Sequence, residues 1–511
     1  MSEEPYAPPA SWAWSTIGEL ASFIGSGITP FGGRNVYVSK GVPFIRSQNV
    51  YPDGLHLDDV VFVTPRMHAE MKRTHVKAGD VLLNITGASI GRSTYVPDDF
   101  GEANVNQHVC IIRADTCIPA YLSCFLNSPL GQEQIFAIEA GVTREGLNYG
   151  QIRRLKIPLA PLEEQRRIAQ LVRELMARNQ EARSRLQNVT PLIRQFRQSV
   201  LAKAFRGEIS ERDPNDEPAE KLLERIRQER RKKWEEELRA KGKDQRNYKH
   251  EELEPIDSES LRPLPSKWTW ARMGETIESM KNGIYKLASV YGSGVPCLRM
   301  YNIEDGNIVW RDLKLMRLSE TEIEEYGLRP GDVLLNRVNS RELVGKAAVV
   351  PEGHGKVVFE SKNIRIKFDR DAVDPHYICY YLQTTEARRG IELGVKQTVG
   401  MATVNQTDIE YWPLPLAPKR EQGKIVAKIR EAFAQTELVT SVAVTSLQNV
   451  AALEQSILAK AFRGELCPQH PDDEPASVLL KRIRAQRATV TKRGEYRLEE
   501  FASPATITPK A

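Results

Sequence analysis

The side chains in this sequence that could do chemistry are amides, hydroxyls and guanidinium groups, gathered in short clusters between apolar runs. Early in the chain they stand at Arg46-Ser47-Gln48-Asn49; at Asn84 to Ser89, with Thr86 inside and Arg92 just beyond; at Asn104 to His108, with Asn106 and Gln107; and at Thr143-Arg144 through Asn148. A later series stands at Arg299 to Asn302, with Tyr301; at Asn336-Arg337-Val338-Asn339-Ser340-Arg341; at Lys362-Asn363; and at Lys396-Gln397-Thr398 through Asn405. Groups of these types hydrogen-bond base edges and phosphates. The plainer reading of each cluster is a polar loop in which Asn and Gly supply turns. Segment 336–341 is the strongest candidate, because its polar residues follow an apolar run and serve no obvious core.

Bond-breaking chemistry is harder to find. Phe23-Ile24-Gly25-Ser26-Gly27 has the outline of a methyltransferase cofactor loop, but no D/N-P-P-Y/F tetrapeptide follows to hold a target amine, so it reads as a turn. No GxxxxGK[ST] phosphate loop is present. Glu360-Ser361-Lys362 imitates one fragment of a nuclease site, and one acidic-x-Lys is common by chance. The 8 histidines form no HExxH, and the 6 cysteines no CxxC, so neither a metal site nor a disulfide framework is expected. The sequence therefore predicts no catalytic residue, no metal ligand and no cofactor on this chain.

What must position the clusters is a duplicated framework. SVLAKAFRGEI from Ser199 returns as SILAKAFRGEL from Ser456, and IPLAP from Ile157 as LPLAP from Leu414, both at an offset of 257. The same offset aligns Glu164-Gln165 with Glu421-Gln422, and no gap is needed up to Arg230. The preceding segments match loosely. Trp12-Ala13-Trp14 pairs with Trp268-Thr269-Trp270, VPFIRSQNV from Val42 with VPCLRMYNI from Val295, and GDVLLN at Gly79 with GDVLLN at Gly331, at offsets drifting between 252 and 256. Asn49 and Asn302 fall at matched positions, which marks them as framework.

The strict part of the repeat is helical. Ile168, Leu175, Ala182, Val189 and Phe196 recur every seventh residue, with Val172, Asn179, Leu186, Ile193 and Val200 four later; the second copy runs Ile425, Ala432, Val439, Ser446, Leu453 with Ile429, Thr436, Ala443, Val450, Ile457. That is a heptad seam. Each helix ends at a glycine, Gly207 or Gly464, and Pro191 should kink the first. At 1.5 Å per residue such a helix is roughly 60–65 Å long. The loose part, with short runs such as DVVFVT, HVCIIR and NIRIKF and helical pieces at 120–127 and 376–383, reads as mixed α/β modules. The expected order is a module at 1–157, a helical spacer at 158–230, a charged linker at 231–266, a second module at 267–414, a second spacer at 415–487 and a tail at 488–511. The fold class is α+β: two mixed α/β domains separated by two long antiparallel coiled-coil helices in a pseudo-two-fold internal repeat.

The totals set bounds. The net charge is +5, and it divides as −2 over residues 1–157, +3 over 158–230, 0 over 231–266 and 267–414, and +4 over 415–511. The excess sits on the helices, so any phosphate clamp is local or partly a partner's. No apolar run is long enough to span a bilayer and the first ten residues lack a secretory layout, which points to a reducing cytoplasm. Two diverged modules held at a fixed distance suit two different half-sites on duplex DNA, whose own symmetry dimeric readers match.

The chain resembles the specificity subunit of type I restriction–modification enzymes. The resemblance covers nearly the whole sequence and rests on Ser26–Pro30 (SGITP), GDVLLN, IPLAPLEEQRRIAQLV with its second copy LPLAPKREQGKIVAKI, and the AKAFRGE helix ends with their EPA-LL continuation. It departs in having KREQG where the first copy has EEQRR, and Gln448 where the first copy has Pro191. It implies that the modules are target recognition domains, each reading one half of a bipartite asymmetric site in double-stranded DNA. It implies that the helices set the spacing and dock two modification subunits, which carry S-adenosylmethionine-dependent adenine methylation. Restriction subunits join the full complex, so ATP and Mg belong to partner subunits; the setting is a prokaryotic cytoplasm, with no membrane. Lys203, Phe205, Arg206 and Glu208, recurring as Lys460, Phe462, Arg463 and Glu465, are read as the docking surfaces, since a pure spacer needs only its heptads. The competing readings are a self-contained DNA methyltransferase or nuclease, and a helical scaffold whose modules bind protein.

Overall fold

The two GDVLLN stretches form matching strands, Val81–Asn84 and Val333–Asn336, in which all four side chains are buried. Burial without alternation means that both faces of the sheet are covered. A computed structural model describes residues 6–30, 33–139, 146–241, 253–398 and 400–492. By its internal contacts the chain forms two units, Met1–Gln187 with Val444–Ala511, and Asn188–Ala443.

In the first unit Val81–Asn84 lies in an antiparallel sheet ordered Phe23–Ser26, Val109–Arg113, Val81–Asn84, Ser93–Tyr95. One face, with Val81, Leu83, Cys110 and Ile112, packs with helix Pro119–Asn127; the other, with Leu82, Val109 and Ile111, packs with Ile45, Ala103 and Val105 of a second sheet. That second sheet runs Val61–Val63, Val42–Ile45, Ala103–Val105, His75–Val76, and its central pair is parallel.

The second unit repeats this plan. Its antiparallel sheet is ordered Ile277–Asn282, Asn363–Phe368, Val333–Asn336, Ala347–Val349, and its second sheet Lys314–Met316, Tyr291–Leu298, Val358–Phe359, again with one parallel pair. Helix Pro375–Leu382 takes the place of Pro119–Asn127. It also carries a small sheet of Val338–Asn339, Met401–Thr403 and Lys396–Thr398.

The helices dock on the modules through repeated polar anchors. Trp12 Nε1 donates to Glu164 at 3.0 Å, and Trp268 Nε1 to Glu421 at 2.9 Å. Gln165 accepts from the Ile118 amide at 3.0 Å and donates to the Ala160 carbonyl at 2.8 Å. Gln422 does the same with Asp374 and Ala417, both at 2.9 Å. The Glu-Gln pair shared by the two copies thus satisfies a buried indole N–H and buried backbone groups, whose neglect would cost about 1–3 kcal/mol each.

Each unit is finished by the helix end from the distant part of the sequence. Phe462 packs with Tyr121 and Phe125 in the first unit, at centroid distances of 5.0 and 5.6 Å. Phe205 packs with Tyr377 and Tyr381 in the second, at 4.9 and 5.3 Å. Both phenylalanines are 1% exposed. Gly464 and Gly207 follow at φ +74 and +70, and a side chain there would run into Pro9 and Pro265 respectively. The chain then turns so that the Ala476 amide meets the Ser11 carbonyl at 2.9 Å, and the Ala219 amide the Lys267 carbonyl at 2.8 Å.

The two long helices differ as Pro191 predicts. The first is broken into Leu162–Gln187 and Val189–Phe205, while the second runs unbroken over 43 residues, Lys419–Ala461. Pro191 has no N–H for the Gln187 carbonyl four residues back, which puts the break at Asn188 rather than at the proline itself. Within each unit the helix segments are antiparallel: Asn179 donates to the Val450 carbonyl and Arg167 pairs with Asp473, while Arg197 donates to Thr436 and Ser210 to Glu421. The heptad rows are not equally covered. Val172, Asn179, Ile429, Thr436, Ala443 and Ile457 are buried; of the other row Ile168 and Ile425 are fully buried beside the modules, but Phe196, Val439 and Leu453 are 47%, 49% and 51% exposed. Helix Ala219–Ala240 extends into the expected linker. Among the described residues no helix is long and apolar enough to cross a membrane.

Replacing Phe462 or Phe205 by alanine should cost its unit about 3–5 kcal/mol, read as a lower urea midpoint by tryptophan fluorescence. An unchanged midpoint would mean that the helix ends do not complete the modules.

Candidate nucleic-acid interface

Where the polar clusters sit separates those that build the modules from those that face outward. Asn49 is fully buried; it accepts from the Arg46 amide at 3.0 Å and donates to the His56 carbonyl at 2.9 Å. Asn302 accepts from the Arg299 amide at 2.9 Å and donates to the Val309 carbonyl at 3.0 Å. Both are framework, as their matched positions imply.

The same test overturns several expected readers. Asn84 and Asn336 are fully buried: Asn84 donates to the Ser47 carbonyl at 2.8 Å and to Ser89 at 3.1 Å, and Asn336 donates to Asn363 and accepts from Asn339. Asn339 is 6% exposed and its oxygen also takes the Ser340 amide. Segment 336–341, the strongest sequence candidate, therefore closes a strand end with a buried amide network, and its asparagines have no edge left for DNA. Asn148 and Asn405 cap the short helices Tyr149–Arg154 and Gln406–Glu410 through reciprocal capping boxes with Gln151 and Asp408. Asn106, 8% exposed, accepts from the His108 amide. Arg46 donates to the Asp59 carbonyl, and Arg299 pairs with Glu360 at 2.9 Å while lying over Tyr301. The asparagines at 84, 336, 339, 148 and 405 thus shape the surface from within, while Arg46 keeps its Nε without a partner.

What remains converges on an open cleft of about 640 Å³ in the first unit, lined by Ser47, Gln48, Tyr51, Thr86, Gly87, Ala88, Ser89, Arg92 and His108. Four expected residues, Gln48, Thr86, Ser89 and Arg92, are thereby brought together. Thr86 meets His108 Nδ1 at 2.5 Å, and exposed Gln107 lies 3.4 Å from Nε2 of the same ring. Arg92 lies over the Tyr51 ring at 5.1 Å. His108, the last residue of the Asn104–His108 cluster, lines it too, and Tyr51 does so from outside every cluster.

Backbone hydrogen bonds identify the equivalent positions in the second unit. The Asn84 amide donates to the Arg92 carbonyl and the Asn336 amide to the Lys346 carbonyl, both at 2.9 Å. Ile85 donates to His108 at 3.0 Å, and Arg337 to Lys362 at 2.9 Å. The hairpins that follow Asn49 and Asn302 put Glu304 where Tyr51 stands, and Tyr301, 44% exposed, where Gln48 stands. On one frame, then, Gln48, Tyr51, Arg92 and His108 become Tyr301, Glu304, Lys346 and Lys362. Burial pushes the pKa of Lys346 down, against the opposing pull of Glu304 and Asp305. Arg341 is exposed and reaches the Glu392 carbonyl at 3.2 Å; Arg337 is half-buried, with Nε unpartnered. Lys396, Gln397 and Thr398 form an outer strand whose side chains lie outside the described set, as do Thr143 and Arg144 altogether.

At the helix ends, burial removes Phe205 and Phe462 from the expected docking surface, because their rings are core. Lys203, Arg206, Glu208, Lys460, Arg463 and Glu465 are exposed beside them, with Arg206 paired to Glu208 at 2.5 Å. Among the described residues no group of His, Cys, Asp and Glu could hold a metal ion.

Residues 9–189 match the family model described as the type I restriction modification DNA specificity domain. The specificity subunit of the type I restriction enzyme EcoKI from Escherichia coli K12 is 25% identical over 496 residues, covering 94% of this chain and 96% of its own. A solved chain from a study of assembly and conformational transition of the type I R-M system has a TM-score of 0.63 at 20% identity, covering 90% of this chain and 100% of its own. The crystal structure of the HsdS subunit from Thermoanaerobacter tengcongensis gives 0.53 at 22% identity, covering 91% and 100%.

The division between frame and lining is measurable. Asn49→Ala should cost about 1–3 kcal/mol, the penalty for orphaning buried hydrogen-bonding groups, whereas Gln107→Ala, at an exposed position, should stay within about 0.5 kcal/mol. Urea unfolding of the two variants checks this, and equal costs would erase the distinction.

Proposed function

Because the chain belongs to the family of type I restriction–modification specificity subunits, whose work is DNA sequence recognition, we propose that each unit reads one half of a bipartite DNA site. One observation carries this: the two units share a buried frame, yet their outward positions carry different chemistry. A frame held constant under a lining of Gln, Tyr, Arg and His in one unit, and of Tyr, Glu and two Lys in the other, suits two unlike base sequences better than one ligand bound twice. The chain itself is non-catalytic; in this reading it directs two modification subunits, and through them the restriction subunits, to the site.

The long helices set the separation of the half-sites in this proposal. They also offer the partner two kinds of surface: the charged residues around Arg206 and Arg463, and the exposed heptad positions Phe196, Val439 and Leu453. The weak overall charge supports a shared grip on DNA, in which partner subunits neutralise phosphates that this chain leaves bare.

Inserting four helical residues into Lys419–Ala461 adds about 6 Å and should change the gap of the methylated site, mapped as methylated adenines in cells expressing the whole complex. An unchanged gap would refute the ruler. Reversing the charges of Arg206 and Arg463 together should weaken co-purification of the modification subunits while leaving the unfolding midpoint in place. Undiminished co-purification would remove these ends from the docking surface.

A further inference from the structure

We propose that Arg92 is a base reader and that it reads guanine in the half-site met by the first unit; this rests on the DNA-reading function above. The first observation is its posture. The guanidinium carbon lies 5.1 Å from the centroid of the Tyr51 ring. Tyr51 is itself stacked on His56, at 4.2 Å and 16°, and the His56 amide is tied to the Asn49 carbonyl at 2.9 Å. A guanidinium resting on an aromatic face keeps its donor edge pointing outward and loses little freedom on binding.

The second observation is availability. Neighbouring arginines are committed: Arg46 to Asp59, and Arg113 to Asp80 at 2.6 Å. Among the described residues the Arg92 guanidinium has no hydrogen-bond or ion-pair partner, although it lines the cleft. The third is its company. Among the described residues Arg92 is the only lining residue with a fixed charge; around it are amide, hydroxyl and imidazole groups, including the Thr86–His108 pair. A phosphate clamp gathers several cations or backbone amides around one anion. A single fork among neutral donors and acceptors instead fits the edge of a base pair, and the O6 and N7 acceptors of guanine in the major groove match an arginine fork.

The counterpart position sharpens the argument. Lys346 is a point charge without a fork, half-buried, and Glu304 stands where Tyr51 provides the platform. The matching position of the second unit therefore lacks this device, and its guanidinium over a tyrosine, Arg299 on Tyr301, is already paired to Glu360; only one half-site should show the signature.

The test expresses the full chain with its modification subunits in a host without adenine methylation and maps the methylated adenines by long-read sequencing. Arg92→Ala should weaken the preference for guanine at one position of one half-site by roughly 5- to 150-fold, with every other position and the second half-site unchanged. Arg92→Lys, which keeps the charge but not the fork, should recover methylation without recovering that preference; it decides the matter if the alanine variant fails to assemble. A uniformly weaker signal on an unchanged motif would make Arg92 a phosphate contact and overturn the proposal, as would an unchanged motif at an unchanged rate. A wild-type complex that methylates without sequence preference would overturn the reading function itself, and Arg92 with it.

Discussion

Each unit is completed by an aromatic ring carried in from a distant part of the sequence, and the junction of module and long helix is built around that closure. Phe462 and Phe205 fill space beside Tyr121 and Tyr377, whose hydroxyls hold the Pro158 and Pro415 carbonyls at 2.5 and 2.6 Å. Those prolines lie in the strands Lys156–Leu159 and Pro413–Leu416, which lead directly into the long helices. The ring therefore braces the point where module becomes helix. Trp12 and Trp268, on the carboxylates of Glu164 and Glu421, brace it from the other side.

This bracing explains why the strict half of the repeat is strict. Its glycines leave room for prolines, its Glu-Gln pair satisfies buried groups, and its phenylalanines are core. The copies still differ in one detail beside the anchor. Ser210 donates to Glu421 at 2.7 Å, but its counterpart is Cys467, and one oxygen of Glu164 is left without a partner. Burial accordingly raises the pKa of Glu164, with Trp12 pulling against it.

Much of the fold was legible because it is written twice. The duplicated segments, the strand-forming GDVLLN, the helical pieces near residues 120 and 376 and the break due to Pro191 all follow from local chemistry. What escaped the sequence was the exchange of helix ends: Phe205 and Phe462 looked like shared docking residues because recurrence says that a residue matters, not what it touches. The candidate site was legible only in part. Asn84 and Asn336, or Asn148 and Asn405, are matched between copies just as Asn49 and Asn302 are, and the rule that made the last pair framework applies equally to the others. Tyr51, Lys346 and His108 carried the opposite signal, divergence on a common frame. Seeing it required the hairpin and loop registers, which gaps of a few residues hide.

The exchange of helix ends also bears on how the protein is made. The second unit uses residues Asn188–Ala443, one continuous stretch. The first also needs Val444 onward, including Ile457, Phe462 and Leu480 of its core. On the ribosome, at about 5–20 residues per second, the N-terminal module must wait roughly 15–60 s for these side chains. Domains usually finish in order from the N-terminus; here the later module closes first, and the earlier one stays open with its apolar face uncovered.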